Sequence, residues 1–262
     1  MEIKKDNLLK IIDEYPVLNF HFSKYINWLY SNVHENIKDY ALINIFLKIK
    51  YEKERLEKLE ESLEKARGIL RLSKEEFRSK FGFNNDLLIK DPEKIHDILI
   101  ELIIVNILDK KGFKKIKKLP KSIQINKIKK VNSDFTAVYK DKKYAIKIKT
   151  IRIESNIKLK EYDSLGVSIN ASWWIKMFKN NIITKIKDKE QRVIHQLNNA
   201  HKYYNCDYKM LAINTRRLGT SSLSEKYEYE SILKSLKVKF PQIDYFFVKD
   251  YYDTCIFYPK LD

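Results

Sequence analysis

The chain is poor in the residues that mark linkers, disulfide frameworks and membrane spans. Five glycines and five prolines in 262 residues argue against a linker-rich or repeat-rich protein. Cys206 and Cys255 are the only cysteines, and the charged start MEIKKDNLLKIIDEYP is unlike a secretory signal. The best candidate for a membrane span, IHDILIELIIVNIL, is short and carries Asp97 and Glu101. These absences predict a cytoplasmic protein with reduced cysteines and no membrane partner.

Positive charge is what the chain has in excess, with a formal net charge of +17 at pH 7. Basic proteins gain affinity for polyanions because binding releases counterions from the phosphates. Lysine, isoleucine, asparagine and tyrosine are abundant while arginine is scarce, so an AT-rich coding sequence is a second source of the charge. The charge therefore favours a nucleic-acid partner without establishing one.

The first third of the chain is predicted to be helical, with an N-terminal region over residues 1–88 and a core over residues 89–262. Its clearest helix runs from Leu42 to Leu72, where apolar residues recur at steps of three and four: Leu56, Leu59, Leu63, Ala66 and Leu70. Two interpretations stay open. The helix packs on its own domain, or it is a coiled-coil arm that dimerises or binds a partner.

Helix boundaries are marked around this region and after it. Ser73 with Glu76 three residues later predicts a capping box. Asp91-Pro92 predicts the start of another helix, and Gly112 predicts its left-handed C-terminal cap.

The pattern changes to strands after Gly112. The segments SIQINKIKK, DFTAVYK and KKYAIKIKTIRI alternate or are β-branched, and KDKK between the last two predicts a hairpin turn. A helix (KEQRVIHQLNNAHKYY), a strand (KMLAINT), a helix (YESILKSLKVKF) and two closing strands (IDYFFVKD, DTCIFYP) follow. The order predicts an α/β (α+β) fold with a mixed central sheet flanked by helices.

One hairpin brings an aspartate and two lysines together. Asp134 lies at the start of its first strand, and Lys147 and Lys149 share a face of the second, because strand side chains alternate. Metal-dependent hydrolysis of a phosphodiester needs acidic oxygen ligands and a cation that positions water or neutralises charge. An aspartate and a lysine at this hairpin supply part of that set.

With these residues the chain resembles the PD-(D/E)XK nuclease superfamily, which includes many type II restriction endonucleases. The resemblance covers roughly Glu101 to Thr215: a helix leading to Gly112-Phe113, the hairpin SDFTAVYKDKKYAIKIKT, and the following helix and strand. It implies a restriction-endonuclease-like core that binds double-stranded DNA and hydrolyses it with Mg²⁺ (or Mn²⁺). Asp134 would ligate the metal, Lys149 would be the catalytic lysine, and Glu101 would assist as a nearby acid.

The chain departs from the family pattern at two positions. Ser133 replaces the proline before the aspartate, and Lys147 replaces the second acid, where a cation repels a metal. Three explanations stay open: a pseudo-nuclease that binds DNA without cutting it, an inactivated variant of an active nuclease, or an acid recruited from elsewhere. In the last case Glu161, Asp163 or Glu101 would complete the metal site.

Basic residues crowd the hairpin and are candidates for nucleic-acid binding. They are Lys129, Lys130, Lys142, Lys143, Arg216 and Arg217. The alternative is an ordinary solvated surface in a lysine-rich protein. The histidines lack metal-ligand spacing, so zinc is not expected.

Two other functions remain as rivals to the nuclease. One is a non-catalytic module that binds DNA or RNA on the same fold. The other is a helical interaction protein in which the Leu42–Leu72 helix is the working part. The sequence leaves homodimerisation open, although palindromic sites favour it in restriction enzymes.

Overall fold

A computed structural model describes residues 5–32, 53–83, 94–125, 127–152, 180, 183, 190–216, 225–249 and 255–261. The chain divides into two compact units, Met1–Gly112 and Phe113–Asp262. This division groups the helix Lys94–Lys110 with the N-terminal helices. The boundary drawn from the sequence between residues 88 and 89 stays a prediction. In the described residues no helix is both long enough and apolar enough to cross a membrane.

The first unit is helical throughout its described part. Its helices are α1 (Lys5–Asp13), α2 (Pro16–Asn32), α3 (Lys53–Leu70), α4 (Lys74–Phe81) and α5 (Lys94–Lys110). Proline opens α2 because the first helical residue needs no amide hydrogen and its φ suits the helix. Two amides of that first turn, Val17 N and Leu18 N, donate to the Glu60 carboxylate of α3 at 2.7 and 2.8 Å.

Helix α3 uses its apolar stripe inside its own unit. Leu56, Leu63, Ala66 and Leu70 are buried, and α3 packs against α2 and α5. The Asn106 amide of α5 donates to Ser62 Oγ at 2.8 Å. Over the described residues the structure therefore favours a helix packed on its own domain, while residues 42–52 lie outside the description.

The predicted helix ends are present where the structure describes them. Ser73 Oγ accepts from Glu76 N at 3.1 Å, and the Glu76 carboxylate accepts from Ser73 N, so the capping box is confirmed. Gly112 follows α5 with φ 93°, the left-handed value expected for a C-terminal cap. Asp91-Pro92, the predicted start of α5, lies outside the described residues.

The second unit is built on a six-stranded sheet in the order β1-β4-β5-β6-β7-β8. Its strands are β1 (Lys114–Lys118), β4 (Phe135–Tyr139), β5 (Lys142–Arg152), β6 (Tyr208–Arg216), β7 (Tyr245–Lys249) and β8 (Cys255–Tyr258). β5, β6 and β7 run parallel, and the other pairs are antiparallel. The predicted mixed sheet with flanking helices is confirmed.

Helices α6 (Glu190–Tyr203) and α7 (Glu225–Lys239) cover one face of this sheet. Val193 and Leu197 of α6 and Leu233 and Leu236 of α7 join odd-numbered residues of β6 in one buried cluster. Cross-strand partners project from the same face, and Leu211 pairs with Lys147 while Ile213 pairs with Lys149. Lys147 and Lys149 therefore lie on the helix-covered face.

The prediction that SIQINKIKK forms one strand of the sheet is wrong. The segment folds into a separate two-stranded hairpin, β2 (Ser122–Ile125) and β3 (Ile128–Val131). KKIKK, which was not predicted as a strand, forms β1 and supplies the missing strand by pairing with β4. Only Ile116 of β1 is buried, so pairing with a neighbour rather than its own pattern makes this segment a strand.

The predicted turn between β4 and β5 is confirmed as a two-residue hairpin. Tyr139 pairs with Lys142, and the intervening Lys140 and Asp141 have φ 44° and 61°. Positive φ at both central residues gives the turn whose twist matches that of paired strands. The register that follows, with Phe135 opposite Ile146, determines which side chains meet Asp134.

Candidate functional site

Asp134 stands immediately before β4 and extends the pairing of that strand by two hydrogen bonds to β5. Its amide donates to Ile146 O at 3.0 Å, and its carboxylate Oδ2 accepts from Ile148 N at 2.6 Å. Its carbonyl accepts from Leu119 N at 2.9 Å. The side chain thus takes the place of the next backbone carbonyl in the ladder, which fixes the carboxylate against β5.

Lys147 provides the second contact of this carboxylate. Lys147 Nζ lies 2.8 Å from Asp134 Oδ1, and the two side chains are only 11% and 14% exposed. A lysine in such an enclosed position is costly unless its charge is paired. Both oxygens of Asp134 are therefore engaged, one by an ammonium and the other by a backbone amide.

Polar residues hold the segment just before Asp134. Ser133 N donates to Asn132 Oδ1 at 2.9 Å, and Ser133 Oγ donates to the carbonyl of Gln196 in α6 at 3.1 Å. The Asn132 amide also donates to Pro120 O at 3.1 Å and to Tyr204 Oη at 3.2 Å. Asn132 and Ser133 are both buried, so contacts with Pro120, Gln196 of α6 and Tyr204, rather than solvent, hold this segment.

Gln196 is the one buried polar side chain of α6 near this segment. It is 4% exposed, and its Oε1 has no hydrogen-bond partner among the residues that the structure describes. A buried amide oxygen without a partner costs free energy.

Two further aspartates in the unit have the backbone role of Asp134. Asp207 donates its amide to Lys143 O at 2.7 Å and accepts from Lys143 N at 2.8 Å. Asp244 does the same with Lys209, at 2.9 and 2.7 Å. Each of the three aspartates precedes an aromatic residue that begins a strand: Phe135 of β4, Tyr208 of β6 and Tyr245 of β7.

We name these three places the aspartate corners: Asp134–Phe135, Asp207–Tyr208 and Asp244–Tyr245. The residue before each aspartate is buried, being Ser133, Cys206 or Ile243. A buried residue, an aspartate and an aromatic at the start of an apolar run is a signal visible in the sequence that the site prediction did not use. Because Asp207 and Asp244 make the same kind of backbone contact, Asp134 has a structural role in addition to any function.

The predicted site residues fall into three groups. Asp134, Lys147 and Lys149 are brought to one corner, with Lys149 two residues beyond Lys147 on the same face and partly exposed. Glu101 belongs to α5 in the other unit, so its role as an assisting acid stays a prediction. Glu161, Asp163 and Arg217 lie outside the described residues.

The predicted phosphate-binding lysines differ in their surroundings. Lys129 and Lys130 of β3 and Lys142 at the start of β5 are exposed. Lys143 is partly buried and its Nζ donates to Tyr204 O, so this ammonium is already engaged within the unit. Arg216 ends β6.

The donor set at Asp134 does not suit Mg²⁺ over the described residues. Magnesium prefers six oxygen ligands, with one or two carboxylates among them. Asp134 supplies the only carboxylate of the hairpin corner, and an ammonium lies against it at 2.8 Å. Among the described residues no group of three or more His, Cys, Asp or Glu side chains could hold a metal.

Comparisons of the chain with protein-family models, with curated proteins and with solved structures give no match.

Proposed function

We propose that this chain binds double-stranded DNA through a nuclease-type core in which the Asp134–Lys147 ion pair replaces a metal site. The observation that carries the proposal is the 2.8 Å contact between Lys147 Nζ and Asp134 Oδ1 at a nearly enclosed corner. The ammonium places a positive charge against the aspartate, as a metal ion would, but it has no open coordination position for water.

The order of elements supports the nuclease-type core. Along the chain, α5 precedes the antiparallel strands β1, β4 and β5, and α6 leads to the parallel strand β6. This order contains the helix, hairpin, helix and strand over which the chain resembles the family. Asp134 begins the middle strand of the three, and Lys149 follows it on the same face of the next strand.

The charge distribution supports DNA as the ligand. The chain carries a formal net charge of +17, and Lys121, Lys129, Lys130 and Lys142 are exposed in the sheet unit. Exposed lysines release counterions from phosphates on binding, which makes the affinity strongly dependent on salt. The proposal therefore predicts binding that weakens steeply as salt is raised.

The test combines binding and cleavage by the intact chain. A labelled duplex of mixed sequence is titrated at several salt concentrations in chelator and in Mg²⁺, and long duplex DNA is incubated with Mg²⁺ or Mn²⁺. We expect salt-dependent binding that persists in chelator, and no cleavage in either metal. Absence of binding, or preference for single-stranded RNA over the duplex, would overturn the proposal.

A second candidate is a metal-dependent endonuclease that recruits an acid from outside the described residues, such as Glu161, or uses Glu101. It is favoured by Lys149, which lies on the same face as the Asp134–Lys147 pair and is partly exposed. In this case the chain itself gives discrete fragments in Mg²⁺ or Mn²⁺, and Lys149→Ala abolishes them while leaving the melting temperature unchanged. A Lys149→Ala variant that cuts like the parent would exclude this site assignment.

A further inference from the structure

The β2–β3 hairpin stands apart from the main sheet, and its charged residues are all lysines. Residues 121–131 contain four lysines and no aspartate or glutamate. All four residues of β3 are exposed, including the apolar Ile128 at 58% and Val131 at 44%. A two-stranded ribbon is only marginally stable alone. The positive charge of this exposed hairpin suits it to a polyanionic partner.

The base of the hairpin is anchored on α6. Ile123 is buried, and Asn199 of α6 donates to Val131 O at 3.0 Å. Asn132 N donates to Lys121 O at 3.1 Å, which closes the two strands at their base. At the other end, Lys127 in the turn has φ 63°. The hairpin therefore has a fixed base and an exposed outer half.

The register assigns the side chains to two faces. Ile123 pairs with Lys130, and Gln124 pairs with Lys129. Because Ile123 is buried and side chains alternate along a strand, the Gln124–Lys129 pair projects from the opposite, outward face. Gln124 and Lys129 are both exposed, so an amide and an ammonium stand side by side on a surface free of acidic residues.

We infer that the β2–β3 hairpin enters the major groove of duplex DNA and that Gln124 and Lys129 contact base edges there. This inference rests on the proposed DNA binding. In undistorted duplex the major groove, about 12 Å wide, admits a two-stranded ribbon, whereas the minor groove, about 6 Å wide, accepts one only when the duplex is deformed. Glutamine pairs with the N6 and N7 edge of adenine, and lysine donates to O6 and N7 of guanine.

The position of the hairpin in the chain links this groove contact to the candidate site. β3 ends at Val131, and Asp134 follows three residues later. The intervening Asn132 and Ser133 are buried and hydrogen bonded, so they form a short rigid connection. A duplex held by the hairpin is thereby held by the same structural element that positions Asp134.

The first test separates phosphate contacts from general charge. Lys127→Ala with Lys130→Ala, which leaves the base-contacting Lys129 in place, is compared with Lys234→Ala with Lys260→Ala, which removes two exposed lysines of the same unit elsewhere. On a labelled mixed-sequence duplex, we expect the negative slope of log K against log salt to become shallower by about 1.8 in the hairpin variant, because each lost phosphate contact contributes about 0.9 to its magnitude. The control variant keeps the parental slope.

The second test asks which groove is used and whether bases are read. Methyl green, which occupies the major groove, should displace the parent chain, and distamycin, which occupies the minor groove, should not. On the sequence enriched from a randomised duplex pool, Gln124→Ala should bind about tenfold more weakly, since one base contact is lost. Its affinity for the unselected pool should equal that of the parent.

The outcomes distinguish this inference from the proposed function. If the parent chain binds no duplex, the proposed function fails and the inference fails with it. If the parent binds but hairpin and control variants behave alike, or distamycin is the effective competitor, the inference is overturned and DNA binding stands. Hairpin variants that change the oligomeric state with unchanged DNA affinity would assign the surface to a second copy and would also overturn it.

Discussion

At each of the three aspartate corners, the aspartate hydrogen bonds to the backbone of the neighbouring strand. The corners differ in what surrounds the second carboxylate oxygen. At Asp207 and Asp244 the aspartate binds both the amide and the carbonyl of one residue in the neighbouring parallel strand. At Asp134 the neighbour is antiparallel, so the amide and the carboxylate reach residues two apart, Ile146 and Ile148. Only there does the register also place a lysine of the same strand against the carboxylate.

The comparison separates structure from function at Asp134. Its bond to Ile148 N is of the kind made at the other two corners, and it is explained by strand pairing alone. The ion pair with Lys147 is not needed for pairing, because in the part of the chain that the structure describes the other two corners are built without a lysine bound to the aspartate. We therefore expect substitutions at Lys147 and Lys149 to test the proposed function more directly than substitutions at Asp134.

The largest loss of stability is expected when the carboxylate of Asp134 is removed, and the same change at Asp207 and Asp244 provides the comparison. Asp134→Ala should lower the free energy of unfolding by about 3 kcal/mol, because it leaves the enclosed Lys147 charge without its partner. Asp207→Ala and Asp244→Ala should each cost about 1 kcal/mol, the value of a lost hydrogen bond. Urea unfolding measures all three, and equal losses would show that the ion pair has no special energetic role.

Reversing the charge at position 147 tests whether the Asp134 corner can bind a metal ion. Lys147→Glu places two carboxylates together, so its melting temperature should fall below that of the parent in chelator. Mg²⁺ or Mn²⁺ should raise it again, by the equivalent of about 2.7 kcal/mol at a concentration one hundred times the dissociation constant. Lys147→Met serves as the control, since it removes the pair without adding a ligand.

Cleavage by these variants distinguishes the open explanations of Lys147. Fragments from Lys147→Glu alone would mean a nuclease inactivated at one ligand. Metal-independent melting of Lys147→Glu would show that the corner cannot hold a metal even with the acid restored.

The helical unit contains a buried titratable side chain, His21, that is neutral rather than charged. His21 is 1% exposed among Phe22, Phe77 and Phe83, and neither of its ring nitrogens has a hydrogen-bond partner in the described residues. Burial, and then the positive charge of Arg78, lowers the pKa of His21 from 6.5 to about 4. Whereas Lys147 is charged and paired, His21 is kept neutral.

The sign of the His21 pKa shift gives a pH dependence. The neutral ring contributes its full stability above pH 6.5, and this is lost as the pH falls through 6.5 towards 4, because the unfolded chain binds the proton more tightly. In thermal melts between pH 7 and pH 4 the parent should lose more stability than His21→Phe. Parallel pH profiles for the two proteins would contradict this account.

The smallest effect is expected at the residue before the corner. Ser133→Ala removes the hydrogen bond to Gln196 O and should cost about 1 kcal/mol in urea unfolding. DNA affinity should stay at the parental value, because Ser133 is buried and its hydroxyl is engaged within the unit. A large loss of binding without a loss of stability would show that Ser133 belongs to the binding surface.

The sequence predicted the parts of this corner that depend on local pattern. Asp134 precedes an apolar run, and alternation put Lys147 and Lys149 on one face, so their placement followed from the period of two. The ion pair did not follow, because it depends on the register that sets Phe135 opposite Ile146. That register comes from the two-residue turn at Lys140 and Asp141, where no glycine announces the left-handed backbone.

The misassigned strands show a second limit. SIQINKIKK alternates except at Asn126-Lys127, and this break of two polar residues, with no glycine or proline, is the only mark in its polarity of the boundary between β2 and β3. KKIKK has one apolar residue and resembles a solvated loop, yet β4 recruits it as a partner. For KKIKK the deciding information is its hydrogen bonding to β4, which is separated from it in sequence by β2 and β3, and composition does not contain this information.

The ends of the segment between β1 and β4 meet in space, and this has a consequence for how the protein could diversify. Leu119 N binds Asp134 O at 2.9 Å, and Asn132 N binds Lys121 O at 3.1 Å. The segment between these contacts, which contains the β2–β3 hairpin, leaves the sheet and returns to it at the same point. Insertions and replacements are tolerated well at such a place. We expect that a hairpin of another sequence can replace the β2–β3 hairpin while the sheet keeps its register.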